Sequence, residues 1–495
     1  MSFMRKSFIY VILLEIRHKG VKAVRFIGRK QELQQLSEAW KKEDALILVT
    51  GRPRIGKTKL IKEFVKDKNH LYFAAGNQSD RLNRLLFERV FKSHFGIQAP
   101  SPDAAAVEWL ELFRLYSEKT EDGGKILIID NFDQLFFENR NFLKIFKKAW
   151  QKYFKANGVT LIVSMSDHSW NQIKQADRGA KKIWTDEIHL DAMSFTEMMM
   201  EFPHHDFNQL MVIYSVVGGV PGYWQFFNHC VNIKQIKQSI IRNVTNPYGK
   251  LFSEIPNLLE REVWRPDAYH SVLKVMAEGA QTAVQIKSMT GYRMSEVRKI
   301  LSHLLELGYI QEQPLMLPKK SRKKSEQPYQ IAIPFAAFWY TFVFSHYDAL
   351  KNDRQLSKQQ SFSGMIPYIQ NWFNRVLIEM LQMVSLKKKI GMEVNQVGRY
   401  AENNQYIPIV AVDQEARKIF AADCVYGTEA YSKKDFENFK ERVNQMAGFN
   451  KRYRNYDTVY GVFSVYPFEK DLLDFALNVS DLILFNGLTL YSLSK

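Results

Sequence analysis

ALILVTGRPRIGKTKL, Ala45 to Leu60, is the stretch to which the rest of the chain is referred. Its apolar start, Ala45 to Val49, predicts a short buried parallel strand. Gly51, four residues, and Gly56-Lys57-Thr58 follow, and Lys59 to Lys66 predicts a helix. This is the strand–GxxxxGK[ST]–helix order of a phosphate-binding loop. Glycines let backbone wrap an anion with no Cβ in the way. Loop N–H groups and the helix N-terminus supply positive potential. The residues assigned to the anion are Gly51, Arg52, Pro53, Arg54, Ile55, Gly56, Lys57, Thr58 and Lys59. Lys57 is the group for β- and γ-phosphates, and Thr58 carries a hydroxyl suited to Mg²⁺. A chance Gly/Lys turn is the competing reading, and the flanking strand and helix weigh against it.

Working outward, KILIID (Lys125 to Asp130) is a buried strand ending in a carboxylate, which suits Asp130 to a Mg²⁺ shell. A Glu is usual at the next position to polarise water. Here it is Asn131, which cannot accept a proton, so hydrolysis is expected to be slow. Asp133 substitutes only if the chain curls back, and no such turn is expected. VTLIV (Val159 to Val163) predicts another parallel strand; Ser164 and Ser166 beyond it suit either a γ-phosphate sensor or ordinary loop chemistry. Further strands are expected at Leu71 to Ala75 and Glu187 to Leu190, and helices at Arg81 to Phe95 and Ala104 to Ser117. Upstream, Phe26-Ile27-Gly28-Arg29 leads into a helix through Glu32, Leu33, Leu36, Ala39 and Trp40.

At 495 residues the chain exceeds one ordinary core. Apolar content of 46% excludes bulk disorder. The formal charge of +17 favours a polyanion partner, nucleic acid first, with solubility alone as the bland reading. Cys230 and Cys424, far apart, argue against a disulfide scaffold or zinc site and suit a reducing cytoplasm. FIYVILL (Phe8 to Leu14) is too short to span a bilayer and lacks a cleavage site, so a packed element is expected, with no membrane role.

From Ser194, where Ser194 and Glu197 have capping-box spacing, the pattern turns helical. A helix through Tyr214 is expected to stop at Gly218-Gly219, before Pro221. Helical runs at His270 to Ala277, Thr282 to Met289 and Ser295 to Leu307 outline a helix-turn-helix. Lys319, Lys320, Arg322, Lys323 and Lys324, then Tyr329 to Ile333, make a wing. Arg293, Arg298 and Lys299 fall at the recognition helix, and the basic wing can neutralise phosphates. DNA contact and an internal lid module both remain open here. The aromatic run Ile333 to Phe344 is expected in the core, and Asn352 to Ser363 as a linker. The last part predicts a helix at Trp372 to Val384, then strands at Ile407 to Val412, Lys418 to Val425, Thr458 to Ser464 and Leu482 to Phe485.

FIGRKQEL, GRPRIGKT, ILIIDNFDQL and YSVVGGVPGYW together resemble the archaeal-type ATPase family, relatives of the AAA+ and STAND ATPases. The resemblance implies ATP and Mg²⁺ as cofactors, with Gly28, Arg29 and Pro221 framing the adenine, and Thr58 and Asp130 on Mg²⁺. It also implies a C-terminal restriction-endonuclease-like domain whose pattern is G-R-W, then Asp, then E-C-K. This chain has Gly398-Arg399-Tyr400, Pro408 in place of the metal-binding Asp, Asp423 for Glu and Val425 for Lys. One carboxylate does not make a two-carboxylate metal site, so an inactive nuclease is expected. Asp413 and Glu393 have no supporting motif.

The expected fold class is α/β. Residues 1–22 are an extension, 23–192 a P-loop core with parallel sheet, 193–265 a helical lid, 266–345 a winged helix, 346–363 a linker and 364–495 the endonuclease-like domain. The expected function is a nucleotide-dependent switch with weak ATP hydrolysis by Lys57, Asp130, Asn131 and Ser166. The alternative is a nucleic-acid-binding effector under ATP control, with defence against foreign DNA as one setting. A protein partner or homo-oligomer is compatible, and Arg140 or Arg178 can serve as an arginine finger.

Overall fold

The structure, a computed structural model, describes residues 28–42, 44–98, 106–119, 125–313, 328–352, 364–382, 390–402, 405–487 and 489–490. The stretch Phe8 to Leu14, the residues Phe26 and Ile27, the basic run 319–324 and residues 353–363 of the expected linker lie outside the described residues, while Tyr347–Asn352, placed in the linker by the 346–363 limits, is a helix. Two compact units emerge. The described residues up to Met193, with Val220–Gln225, form one; Ser194–Gly219 and those from Phe226 onward form the other.

The first unit is a five-stranded parallel sheet. Its strands are β1 (Leu46–Gly51), β2 (His70–Ala74), β3 (Lys125–Asp130), β4 (Val159–Ser164) and β5 (Asp186–Leu190), in the order β2-β3-β4-β1-β5. β1, β3 and β4 are dominated by apolar residues because helices cover both faces of a parallel sheet; every residue of β1 and β4 is buried, Thr50 and Thr160 included. One face packs on an aromatic cluster in which Phe87 and Trp109 meet edge-on at 5.6 Å and Trp109 and Phe142 at 5.2 Å. The helix expected from Ala104 begins at Trp109. Arg84 explains the late start: its guanidinium binds the Ala106 and Val107 carbonyls and the Glu108 carboxylate, holding that stretch out of the helix.

Since β4 lies between β1 and β3, three strand tips stand side by side. The phosphate-loop sequence leaves β1, Asp130 ends β3 and Ser164 ends β4. In an open parallel sheet this carboxyl edge is where ligands sit.

The second unit joins helices to a mixed sheet. Ser194 caps Phe195–Glu201 through a complete capping box, and Phe207–Val217 ends on Gly218 at φ 63°. The Gly218 N–H donates to the Tyr214 carbonyl at 2.8 Å. Helices Pro266–Ala277, Ala283–Thr290 and Met294–Glu306 precede a two-stranded antiparallel pair, β6 (Ile310–Glu312) and β7 (Tyr329–Ile331). The aromatic run is core: Phe335, Phe338, Trp339 and Tyr340 are buried, and it continues from an α-helix into a π-turn at Trp339–Val343.

After the helix Met365–Leu381, the final sheet comprises β8 (Gln396–Glu402), β9 (Gln405–Asp413), β10 (Lys418–Val425), β11 (Asp457–Ser464), β12 (Leu482–Asn486) and β13 (Thr489–Leu490) in sequential order. β8, β9 and β10 are antiparallel, β10, β11 and β12 parallel. Pro408 stands in a central strand, which normally excludes proline. The register accounts for it: Gly398 pairs with Val410 and Tyr400 with Ile407, so Pro408 lies in an irregularity opposite Arg399. The β9–β10 ladder also ends at Ala422 and Ile409, one pair before Pro408. Among the described residues no helix is long and apolar enough to cross a membrane.

Candidate functional site

The loop after β1 has the backbone of an anion cradle. Arg54 is left-handed at φ 63° and Gly56, the N-cap of Lys57–Val65, at φ 104°. Alternation of helical and left-handed residues turns successive N–H groups into one concavity. Lys57 Nζ donates to the carbonyls of Gly51 at 2.8 Å and Arg52 at 3.1 Å, folding the lysine over its own loop. Burial pushes this ammonium below the usual lysine value, while the carboxylates of Asp167, Asp130 and Asp133 pull it back up.

Asp130 gathers hydroxyls. Its Oδ2 accepts from Thr58 at 2.6 Å and from the Tyr72 phenol at 2.5 Å, and its Oδ1 accepts from Ser164. The Asn131 N–H donates to the same Ser164 Oγ at 3.3 Å. Thr58 and Asp130 thus come together, as their sequence assignment requires. Burial and the Asp130 carboxylate hold the Tyr72 phenol well above its ordinary value, so it stays a donor.

The two serines divide. Ser164 is fully buried on Asp130. Ser166 caps the helix Asp167–Ala176, accepting from the Ser169 N–H at 3.1 Å and donating to Ser169 Oγ at 2.8 Å. Arg29 is left-handed at φ 55° and only 6% exposed. Its guanidinium binds Glu32, the Ile55 carbonyl at 3.4 Å and the Asp191 carbonyl at 2.5 Å. The side chain is therefore a brace for the loop at Ile55. Pro221 opens the short helix Pro221–Trp224, and the next N–H, that of Gly222, donates to the Arg54 carbonyl at 3.0 Å. The Arg54 guanidinium lies 5.9 Å from the Tyr223 ring centre. This segment is laid directly on the loop.

Sequence reasoning passed over Tyr72, a strand residue with no motif around it, and the group at the tip of β5. There His189 Nδ1 faces Thr50 Oγ1 and Asp167 at 3.2 Å, and Nε2 faces Asp191 at 3.2 Å. The Asp167 hydrogen bond raises the His189 value. The expectation that the chain does not curl back at Asp130 needs correcting. Asn131 is left-handed (φ 57°, ψ 45°), the helix Phe132–Glu138 starts at once, and Asp133 is buried with Ser169 Oγ donating to its Oδ2 at 2.6 Å.

In the last sheet, Asp423 accepts from Tyr431 OH at 3.0 Å and pairs with Arg442 at 3.2 Å. Burial raises this carboxyl and Arg442 opposes the rise. The three line a pocket of about 440 Å³ with Val425, Thr428 and Glu429. Asp413 is elsewhere: its carboxylate takes the N–H groups of Ala416 and Glu393, both at 2.9 Å, which holds it below the usual aspartate value. Five positions along β9 from Pro408, or roughly 17 Å at strand rise, it does not converge with Asp423.

A parallel sheet with this loop at the tip of β1 and Thr58 on Asp130 defines a P-loop NTPase. Residues 26–225 match an ATPase domain predominantly from Archaea, and residues 339–439 match archaeal and bacterial proteins of unknown function. Residues 26–225 are thus an archaeal-type ATPase domain. An uncharacterized protein of Methanocaldococcus jannaschii is 25% identical over 409 residues, 79% of this chain and 85% of that one. Two solved structures are also similar. The Walker-type ATPase PABY2304 of Pyrococcus abyssi has TM-score 0.48 and 16% identity over 64% of this chain and 96% of its own. The Aeropyrum pernix ORC2 protein has TM-score 0.47 and 14% identity over 69% and 97%.

Proposed function

We propose that this chain is a nucleotide-dependent switch that binds ATP with Mg²⁺ and hydrolyses it slowly. The observation that carries the reading is the Gly222–Arg54 backbone bond. A segment flanked in sequence by helices of the other unit rests on the loop that would hold the phosphates. ATP shifts such a system only as far as it binds one arrangement better. Lys57 and the loop N–H groups hold phosphate. Thr58 and Asp130 fit Mg²⁺, which needs few protein carboxylates when phosphates supply other oxygens. That cation would neutralise phosphate charge. Gly28, the Arg29 backbone and Pro221 frame the base. The domain limits given above, including the winged helix and a C-terminal nuclease-like domain without nuclease activity, belong to the same proposal, as does a cytoplasmic setting.

The test is ATP binding and turnover by the purified protein, with Lys57→Ala as control, with and without DNA. Binding should weaken about 100-fold in Lys57→Ala, the loss of charge-assisted hydrogen bonds worth about 1.5–3 kcal/mol. Wild-type turnover should be slow in both conditions. Turnover that rises steeply with DNA would move the protein out of the switch class.

The second reading, nucleic-acid binding, is favoured by one surface. Arg293, Arg298 and Lys299 are exposed at and along Met294–Glu306. Arg265 pairs with Glu296 of that helix at 3.1 Å, and its neighbour Trp264 is 95% exposed. Bases stack on such aromatics. If this surface holds phosphates, converting the three cations to alanine should flatten the salt dependence of DNA affinity. The logarithmic slope should fall by about one unit for each phosphate left without its cation. An unchanged slope would dismiss this surface.

A further inference from the structure

We propose that Asp133 is the general base for the slow hydrolysis of ATP, taking the role that residue 131 cannot perform. The inference rests on the ATP-binding reading above and names the group through which its chemistry would run.

The left-handed turn at Asn131 is the origin. It starts the helix Phe132–Glu138 directly at the tip of β3, leaving Asn131 exposed and bringing Asp133 to 9% exposure. That tip lies beside β4, which in turn lies beside the loop strand β1. Asp133 is oriented by a hydroxyl relay: Ser166 Oγ donates to Ser169 Oγ at 2.8 Å, and Ser169 Oγ donates to Asp133 Oδ2 at 2.6 Å. The residue is also near the phosphate-binding lysine, since Lys57 and Asp133 each feel the other's charge. Burial raises the carboxyl above the ordinary aspartate value, as suits a group that accepts a proton. A carboxylate buried against the single hydroxyl of Ser169, three positions beyond the Mg²⁺-shell aspartate, is costly for a purely structural position.

In the step proposed, the water oxygen forms a bond to the γ-phosphorus while its proton passes to the Asp133 carboxylate. The bond from the γ-phosphorus to the bridging oxygen breaks and its electron pair leaves with ADP. The proton then passes from Asp133 to the released phosphate or to solvent.

Asp133→Asn is isosteric and still accepts from Ser169, so it separates chemistry from packing. Its melting temperature should match wild type and its affinity for a fluorescent ATP analogue should stay within about twofold, while kcat falls about 100-fold. Ser169→Ala is the second variant: it removes the orienting hydroxyl and should lower kcat several-fold at unchanged affinity. Wild-type turnover in Asp133→Asn would overturn the assignment, as would unchanged turnover in Ser169→Ala should the asparagine variant not fold. A wild-type protein that binds the analogue but never hydrolyses ATP would overturn the base and leave the switch. A protein that binds no nucleotide would overturn both.

Discussion

Gly222→Ala should weaken ATP binding by about 100-fold and lower the stability of the P-loop unit by about 2–3 kcal/mol. A Cβ at this position would stand 2.6 Å from Arg54 Cβ and 2.8 Å from the Arg54 carbonyl oxygen. Neither atom is the tip of a mobile side chain, so the clash is relieved only by lifting Val220–Gln225 off the loop or by bending the loop. Lifting breaks the Gly222–Arg54 hydrogen bond; bending disturbs Arg54 and Gly56, whose left-handed backbone makes the cradle. Titration with a fluorescent nucleotide and calorimetric melting read the two effects. Arg54→Gly in the same chain should recover part of the loss, because it deletes the Cβ and relaxes the left-handed residue. Full affinity in Gly222→Ala alone would show that the segment does not need to touch the loop.

The largest expected loss of stability lies in the other unit. In Gly461→Ala the new methyl would run into the Phe420 ring, nearest at Cζ and then Cε2 at 2.6 Å, and would stand 3.1 Å from Ala422 Cβ. Phe420 is fully buried and edge-on to Phe463 at 6.2 Å, so its ring has little room to move. Gly461 also pairs with Ala422 across the parallel β10–β11 ladder, which prevents the strand from sliding away. Overpacking of this kind costs about 3 kcal/mol. Urea denaturation should show it as an earlier transition, and Phe420→Leu beside it should return at least about 1 kcal/mol. Equal midpoints for wild type and Gly461→Ala would show that the sheet opens at little cost.

What the sequence made legible was local. KILIID and VTLIV are strands because apolar, largely β-branched residues dominate them, with Thr160 the one polar residue inside, and a carboxylate at such a tip has a meaning independent of the rest of the fold. Thr58 and Asp130 were therefore both readable. The strand β8 was harder: Gly398-Arg399-Tyr400 reads as a motif, and its irregular pairing with β9 blurs the alternation that marks a strand. The helix Lys433–Gln445 is missed by periodicity even though Ser432 and Asp435 form a complete capping box. Other features depend on pairings between distant residues or on one torsion. Tyr72 reaches Asp130 because β2 and β3 are adjacent, with Ala74 beside Asp130. Asp133 turns inward because one residue, Asn131, takes a left-handed φ. No periodicity announces either.

The Gly222–Arg54 bond has a consequence for the order in which the protein is made. Gly222 follows Arg54 by 168 residues (222 minus 54), and the intervening helices from Ser194 to Gly219 belong to the other unit. On a ribosome adding about 5–20 residues per second, the loop waits on the order of 10–30 s for its cover. All five strands have left the decoding centre by then. The nascent sheet can therefore form while the Arg54 carbonyl still faces water, and a fragment ending at Met193 would remain at that stage.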